Sequence, residues 1–404
     1  QHQSNASGRT ATYRFNFGQR PFSVTPATDH VGIGTHTMPA VSGVITSPSD
    51  TFKVVGYEGN GTAIGSGGNA ITVGFQPDLV WLKNRDANDD HRWFDSIRGA
   101  QNYLETNSQN DQNQAIDRSL TYPNGGYAEM LNEFTATGFT LGDNVSVNTN
   151  NESYVAWCWK ANGAGSSDAT GGLTVTRSTA AHQGFSMCKG TSTSGTQNFA
   201  HGLGAKPEFV IFRDIESNDQ HWQVQHKDVN ANMADITTLG FNRSNDAGSS
   251  SNWWGSEPTS TLQYFTGSQC NNSKDFICYL WRRIPGLIGI GSYLGNGNSD
   301  GPEIVIDDTA GGFKPALVII KEFDGSNNGN WFIRDNVRSA TNPSKHDLYV
   351  QQNAVEYTDS NSDIYFQTNG FKIKCDAGGY NENGAKNLYI AFAEDSFYQN
   401  NRAR

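Results

Sequence analysis

Apolar residues in this chain fall in short runs rich in Val, Ile, Phe, Trp and Tyr, each bounded by Gly, Asn, Asp or Pro. Runs of that length and composition predict β-strands, either alternating into one core or covered on both faces. Helical periodicity is nearly missing, and residues 127–134 are the one stretch expected to form a helical turn or two.

The runs repeat. Gly74-Phe75-Gln76-Pro77-Asp78-Leu79-Val80-Trp81-Leu82-Lys83, Gly204-Ala205-Lys206-Pro207-Glu208-Phe209-Val210-Ile211-Phe212-Arg213 and Gly312-Phe313-Lys314-Pro315-Ala316-Leu317-Val318-Ile319-Ile320-Lys321 each predict a turn followed by a strand. After a polar loop, an aromatic strand is expected to begin at Trp93, Trp222 or Trp331, 16, 15 and 16 residues after the respective prolines. Each unit closes on a second signature, at Tyr154-Val155-Ala156-Trp157-Cys158-Trp159, Phe276-Ile277-Cys278-Tyr279-Leu280-Trp281 and Tyr389-Ile390-Ala391-Phe392-Ala393. The starts match less closely: Phe52 to Tyr57 precedes Gly59-Asn60-Gly61, Leu287 to Tyr293 precedes Gly295-Asn296-Gly297, and Phe185 to Lys189 is the weaker middle version. Asn-Gly between strands predicts a hairpin, because both residues tolerate positive φ.

The expected fold class is therefore all-β, with three tandem β-sandwich-like, lectin- or jelly-roll-like domains of about 105 residues each. The expected boundaries are an extension at 1–49, repeats at 50–160, 182–285 and 286–397, and a tail at 398–404. Residues 161–181, rich in Gly, Ser and Thr, predict a flexible linker with one short strand at Leu173 to Thr176. Arg282-Arg283-Ile284-Pro285 leads straight into the third repeat, which predicts a rigid junction there.

Composition adjusts this picture. Only 35% of residues are hydrophobic, but 11% are aromatic, which supplies cores and argues against disorder. A net charge of −11 argues against nucleic acid as a partner. No apolar run is long enough to span a membrane, so membrane insertion is not expected. The five cysteines, Cys158, Cys188, Cys270, Cys278 and Cys375, show neither a zinc spacing nor a disulfide framework, and they suit assembly in a reducing cytoplasm. No signal peptide opens the sequence, and a start at Gln1 without Met suggests a processed or truncated part of something longer.

Four sequence phrases resemble repeats in tail-fibre-like virion proteins of marine bacteriophages: Gly74 to Arg85, Trp93-Phe94-Asp95-Ser96-Ile97-Arg98-Gly99, Gly138-Phe139-Thr140-Leu141 and Tyr154 to Ala161. The resemblance covers about residues 50–397, and Phe15-Asn16-Phe17-Gly18-Gln19-Arg20-Pro21-Phe22 resembles the last strand of a SPRY-like, concanavalin-type sandwich. It implies a virion protein that is assembled in the host cytoplasm and acts outside it, as a tail fibre or exposed appendage in host attachment. It also implies other virion proteins as partners, a homo-oligomer with a trimer favoured, and a host-surface glycan as a candidate ligand. A capsid-decorating or tail-scaffold protein is the alternative, followed by a polysaccharide-degrading tailspike. The middle unit departs from the pattern, with Gln223-Val224-Gln225-His226-Lys227 in place of Phe94 to Arg98 and no counterpart of the pair found at Gly138-Phe139 and Gly370-Phe371.

Candidate chemistry is sparse, and no catalytic residue, cofactor or metal is expected. Asp95 and Arg98 recur as Asp335 and Arg338, a spacing that suits a structural ion pair better than a raised-pKa acid. Asp86, Asn88 and Asp90 alternate with a spacing that could offer oxygen ligands to calcium, without a later bidentate Glu, so a solvated loop is the simpler expectation. His91, His201, His221 and His226 lack metal spacing. Trp253, Trp254 and Tyr122 lie in long polar loops and are the candidate ligand-binding aromatics, against the alternative that they pack beneath those loops.

Overall fold

Every sheet is antiparallel; repeats 1 and 3 each build one large sheet and one small one, and repeat 2 builds a large sheet and two small pairs. The computed structural model describes residues 50–114, 129–237, 239–306, 311–325, 329–358 and 362–393. All belong to one compact unit, residues 45–404, while a separate unit, residues 1–44, lies outside the described residues together with the SPRY-like segment Phe15 to Phe22.

Repeat 1 contributes β1 (Phe52–Glu58), β2 (Asn69–Thr72), β3 (Leu79–Asn84), β4 (Arg92–Asp95), β5 (Asn102–Glu105), β6 (Asn113–Gln114), β7 (Leu131–Thr135), β8 (Gly138–Leu141) and β9 (Ser153–Trp159). They form the sheets β1-β9-β3-β4-β5-β6 and β2-β8-β7. Repeat 2 contributes β10 (Ser166–Asp168), β11 (Val175–Ala180), β12 (Phe185–Thr191), β13 (Gln197–Ala200), β14 (Phe209–Asp214), β15 (Gln223–His226), β16 (Ile236–Thr237), β17 (Gly248–Ser249), β18 (Leu262–Phe265) and β19 (Asp275–Trp281). Its large sheet is β10-β11-β12-β19-β14-β15, with β13-β18 and β16-β17 as small pairs. Repeat 3 contributes β20 (Ile288–Leu294), β21 (Glu303–Val305), β22 (Pro315–Glu322), β23 (Trp331–Asp335), β24 (His346–Tyr349), β25 (Tyr357–Thr358), β26 (Asp363–Gln367), β27 (Gly370–Lys374) and β28 (Lys386–Ala393). Its sheets are β20-β28-β22-β23-β24-β25 and β21-β27-β26.

The apolar runs are continuous because both faces of each large sheet are covered. With a side-chain period of two, Val80, Leu82, Phe94, Ala156 and Cys158 face the small sheet of repeat 1, where Ile71, Phe139 and Leu141 meet them. Leu79, Trp81, Trp93, Trp157 and Trp159 face the opposite way. There they join Phe209, Ile211, Tyr279 and Trp281 of repeat 2 and Leu317, Ile319, Ile390 and Phe392 of repeat 3. The three repeats thus share one aromatic core between their large sheets, while repeats 1 and 3 each keep a second core between their own large and small sheets. The void left where they meet is only about 10 Å³, so the centre is a packed core without a channel.

The repeats close into a ring. Gln112 of repeat 1 donates its backbone N–H to Ile215 O of repeat 2 at 2.8 Å, Ala247 of repeat 2 to Phe323 O of repeat 3 at 2.9 Å, and Glu356 of repeat 3 back to Arg85 O of repeat 1 at 2.9 Å.

Three sequence expectations are corrected. Residues 161–181 are no flexible linker: β10 and β11 extend the repeat 2 sheet at β12, over Val175 to Ala180 instead of Leu173 to Thr176. Buried Ser178 pins the segment by accepting the Asn162 N–H at 2.8 Å, and an Asp168–Arg177 ion pair closes it at 2.7 Å. The stretch expected to turn helically holds β7 instead, from Leu131 on, because pairing with β8 outweighs weak local preference, and residues 127 and 128 lie outside the described set. Finally, Asn60-Gly61 and Asn296-Gly297 are not hairpins, since β1 pairs with β9 and β2 with β8. They are corners that carry the chain from the large sheet to the small one. Gly59 lies so close to Thr149 that a Cβ would sit 2.0 Å from its carbonyl oxygen.

Candidate functional site

The β-ladders define which residues are equivalent. Leu79 pairs with Asp95, Phe209 with His226 and Leu317 with Asp335, so Asp95, His226 and Asp335 occupy one position. At this position Arg98 Nε donates to Asp95 Oδ2 at 2.5 Å and Arg338 Nε to Asp335 Oδ2 at 2.6 Å, all four side chains being buried. Each guanidinium also donates to a backbone carbonyl, Trp93 O at 3.0 Å and Ile333 O at 2.8 Å. The carboxylates serve the seams as well: Tyr279 OH of repeat 2 donates to Asp95 at 2.7 Å, and the Trp157 indole of repeat 1 to Asp335 at 3.1 Å. In the middle repeat the His226 Nε2 lies 3.3 Å from Tyr389 O of repeat 3. These carboxylates are fully engaged in ion pairs and inter-repeat bonds, which is structural work.

The candidate calcium loop is tied down in three directions. Asp86 accepts the Ser153 N–H at 2.6 Å, Asn88 the Val355 N–H at 3.0 Å, and Asp90 the Asn107 amide at 2.7 Å. No cluster of three His, Cys, Asp or Glu side chains able to hold a metal occurs among the described residues. All five cysteines are buried and free.

Of the loop aromatics, Trp254 is buried under its loop, with its indole N–H on Ile236 O at 2.9 Å, so its faces are not presented to a ligand. Trp253 is half-buried and packs on the same core. Tyr122 lies outside the described residues.

Sequence reading missed two kinds of residue. Asn148 and Asn381 are wholly buried corner clamps: Asn60 N–H donates to Asn148 Oδ1 at 2.8 Å, and Asn296 N–H to Asn381 Oδ1 at 2.7 Å. A single Asn in a polar loop gives no signal for that. Asp78, hidden inside a repeat phrase, is the other.

Asp78 lines a cavity of about 670 Å³ at the end of repeat 1, together with Asp50, Phe75, Gln76, Lys160 and Asn162. The turn before β3 and the chain leaving β9 meet there, since the Asp78 N–H donates to Trp159 O at 2.8 Å and Asp78 Oδ2 accepts the Ala161 N–H at 2.7 Å. Asp78 is only 2% exposed. Its Oδ1 is buried with no partner in hydrogen-bonding geometry, a state that costs about 1–3 kcal/mol in a folded protein. Burial raises the carboxyl above its ordinary value, and the Ala161 and Gly163 N–H groups with the Ser96 and Gln76 side chains pull the other way. At the same position repeat 2 has Glu208, which burial also raises but which feels the charges of Lys227 and Arg283, and repeat 3 has Ala316.

No curated protein and no solved structure matches the chain. One family model does, described as "Domain of unknown function (DUF7483)", over residues 47–396. That span takes in all three repeats. The chain belongs to the DUF7483 family.

Proposed function

We propose that the chain is a structural component of a bacteriophage particle, a tail fibre or other exposed appendage that takes part in attachment to the host surface. The observation that carries this reading is the closed ring of three repeats, in which one chain builds a three-bladed body sealed by its own seams. Such a body needs no partner to complete its core, and it leaves the polar loops at the strand ends to meet other virion proteins, further copies of itself or a host glycan. The resemblance of residues 50–397 to tail-fibre-like repeats points the same way.

The test is to purify particles, identify their proteins by mass spectrometry and locate this chain by electron cryo-microscopy. A projecting appendage with free loop ends is the expected result. A copy embedded in the capsid lattice or tail wall would replace attachment with a decorating or scaffolding role. A chain missing from purified particles would end the virion reading altogether.

A further inference from the structure

We propose that the cavity around Asp78 is a binding site for a neutral saccharide, specific to repeat 1. The cavity is built around a carboxyl that is 2% exposed and whose Oδ1 makes no hydrogen bond of good geometry, with the Gly163 N–H and the Ser96 and Gln76 side chains close to it. Its lining mixes acceptors, in Asp50 and Asp78, with donors from the Gln76 and Asn162 amides and the Lys160 ammonium. Two carboxylates against one ammonium disfavour an anion. Phe75, the aromatic group of the lining, is 4% exposed and offers no apolar platform, which disfavours a hydrophobic ligand. A ligand with several hydroxyls both donates and accepts, carries no charge to desolvate and fits a cavity of about 670 Å³. The other repeats lack the feature, one having Glu208 close to two cationic side chains and the other Ala316.

The inference deepens the host-surface reading and rests on it only for where the sugar comes from. The test uses the isolated full chain, so its failure is distinct from the chain's being missing from particles. Saturation-transfer NMR is run with methyl glucoside, galactoside, mannoside and N-acetylglucosaminide as probes. Transfer to at least one of them is expected, with affinity weakened at least tenfold by Asp78→Ala and several-fold by Gln76→Ala, and unchanged by Glu208→Gln. Thermal melting confirms that each variant folds, and if Asp78→Ala does not, Gln76→Ala decides. No transfer to any of the four sugars, or transfer that survives the deciding variant, would overturn the site.

Discussion

The indole N–H of Trp331 in repeat 3 ends 2.9 Å from the carbonyl oxygen of Gly240 in repeat 2. The same contact recurs around the ring: Trp222 of repeat 2 donates to Glu105 O of repeat 1 at 3.0 Å, and His91 Nε2 of repeat 1 lies 3.0 Å from Tyr349 O of repeat 3. His91 Nδ1 accepts the Trp81 indole N–H at 2.9 Å, which fixes the proton on Nε2 and makes it the donor to Tyr349. Three ring nitrogens therefore close three seams, each reaching the carbonyl at the equivalent place in the neighbouring repeat.

Trp331→Phe should cost about 2–4 kcal/mol, because it shrinks the ring and strands a buried carbonyl. Trp281→Phe should cost about 1–2 kcal/mol, since the Trp281 indole N–H is buried with no partner and its removal breaks no bond. Urea unfolding of the two variants measures the difference. Equal losses would mean that the seam bond adds nothing beyond ring volume.

The seam between repeats 3 and 1 is the one that no chain connection closes, and it holds an ion cluster. Glu356 accepts from Arg85 at 2.6 Å and from Arg338 at 3.0 Å, with His346 at 3.3 Å. Burial alone would raise the Glu356 carboxyl, but Arg85 and Arg338 outweigh it and hold it below its ordinary value. Glu356→Ala is expected to lower stability by about 2–3 kcal/mol, because it uncovers the buried Arg338. Asp275→Ala breaks the half-exposed Lys189 pair and should cost no more than about 1 kcal/mol. The same urea midpoints check this, and a loss for Glu356→Ala no larger than for Asp275→Ala would show that the clasp is dispensable.

The sequence shows the strands and the three repeats because alternation and turn residues are local. It hides how they join. Trp93, Trp222 and Trp331 lie at nearly equal distances from their prolines, yet the ladder pairs Trp81 with Trp93, Ile211 with Val224 and Ile319 with Ile333. Trp331, which pairs with Lys321, shares its position with Trp222 and His91, while Trp93 stands two residues further along. The intervening loops differ in length, so equal spacing conceals a change of register, and a two-residue shift keeps the side chain on the same face. Closure into a ring is equally invisible, since contacts such as Glu356 to Arg85 span most of the chain. At the candidate site, Asp78 is legible only as part of a repeat phrase, because its missing hydrogen bond depends on what repeat 1 places around it.

Gly138 and Gly370 head the second strand of a hairpin at equivalent places, where a Cβ would stand 1.9 Å from Ile71 O and from Ile304 O. Gly138→Ala or Gly370→Ala must push two strands apart, and each should cost about 2–3 kcal/mol. The middle repeat has Leu262 there, paired with Ala200, and keeps only a two-stranded version of this sheet. Gly267→Ala, with no atom within 4 Å of the added carbon, is the control and should be neutral or slightly stabilising. Thermal melts separate the cases, and a neutral Gly138→Ala would mean that the two strands are not held at this spacing.

Acid should loosen the fold through its buried histidines before it reaches the carboxylates that cationic partners hold low. Burial holds the imidazoles of His91, His201 and His226 below their ordinary 6.5, His201 and His226 at about 4. In the unfolded chain each takes up a proton near pH 6.5. Between those limits the unfolded chain binds protons that the folded chain refuses, so stability falls as the pH drops from about 6.5 towards about 4. Each histidine contributes about 1.4 kcal/mol per pH unit in that window and no slope above it. Glu356 and Asp275, both held low by their cationic partners against the opposing effect of burial, add to the loss only below about pH 4.5. Urea unfolding at pH 7.5, 6.5, 5.5 and 4.5 should show a flat region and then a decline, and His226→Gln should remove about one proton's worth of that slope. A slope that His226→Gln leaves unchanged would mean that His226 carries its proton inside the fold, whereas a flat wild-type curve whose slope the substitution does change would mean that raised carboxyls such as Asp78 and Glu208 offset the histidines.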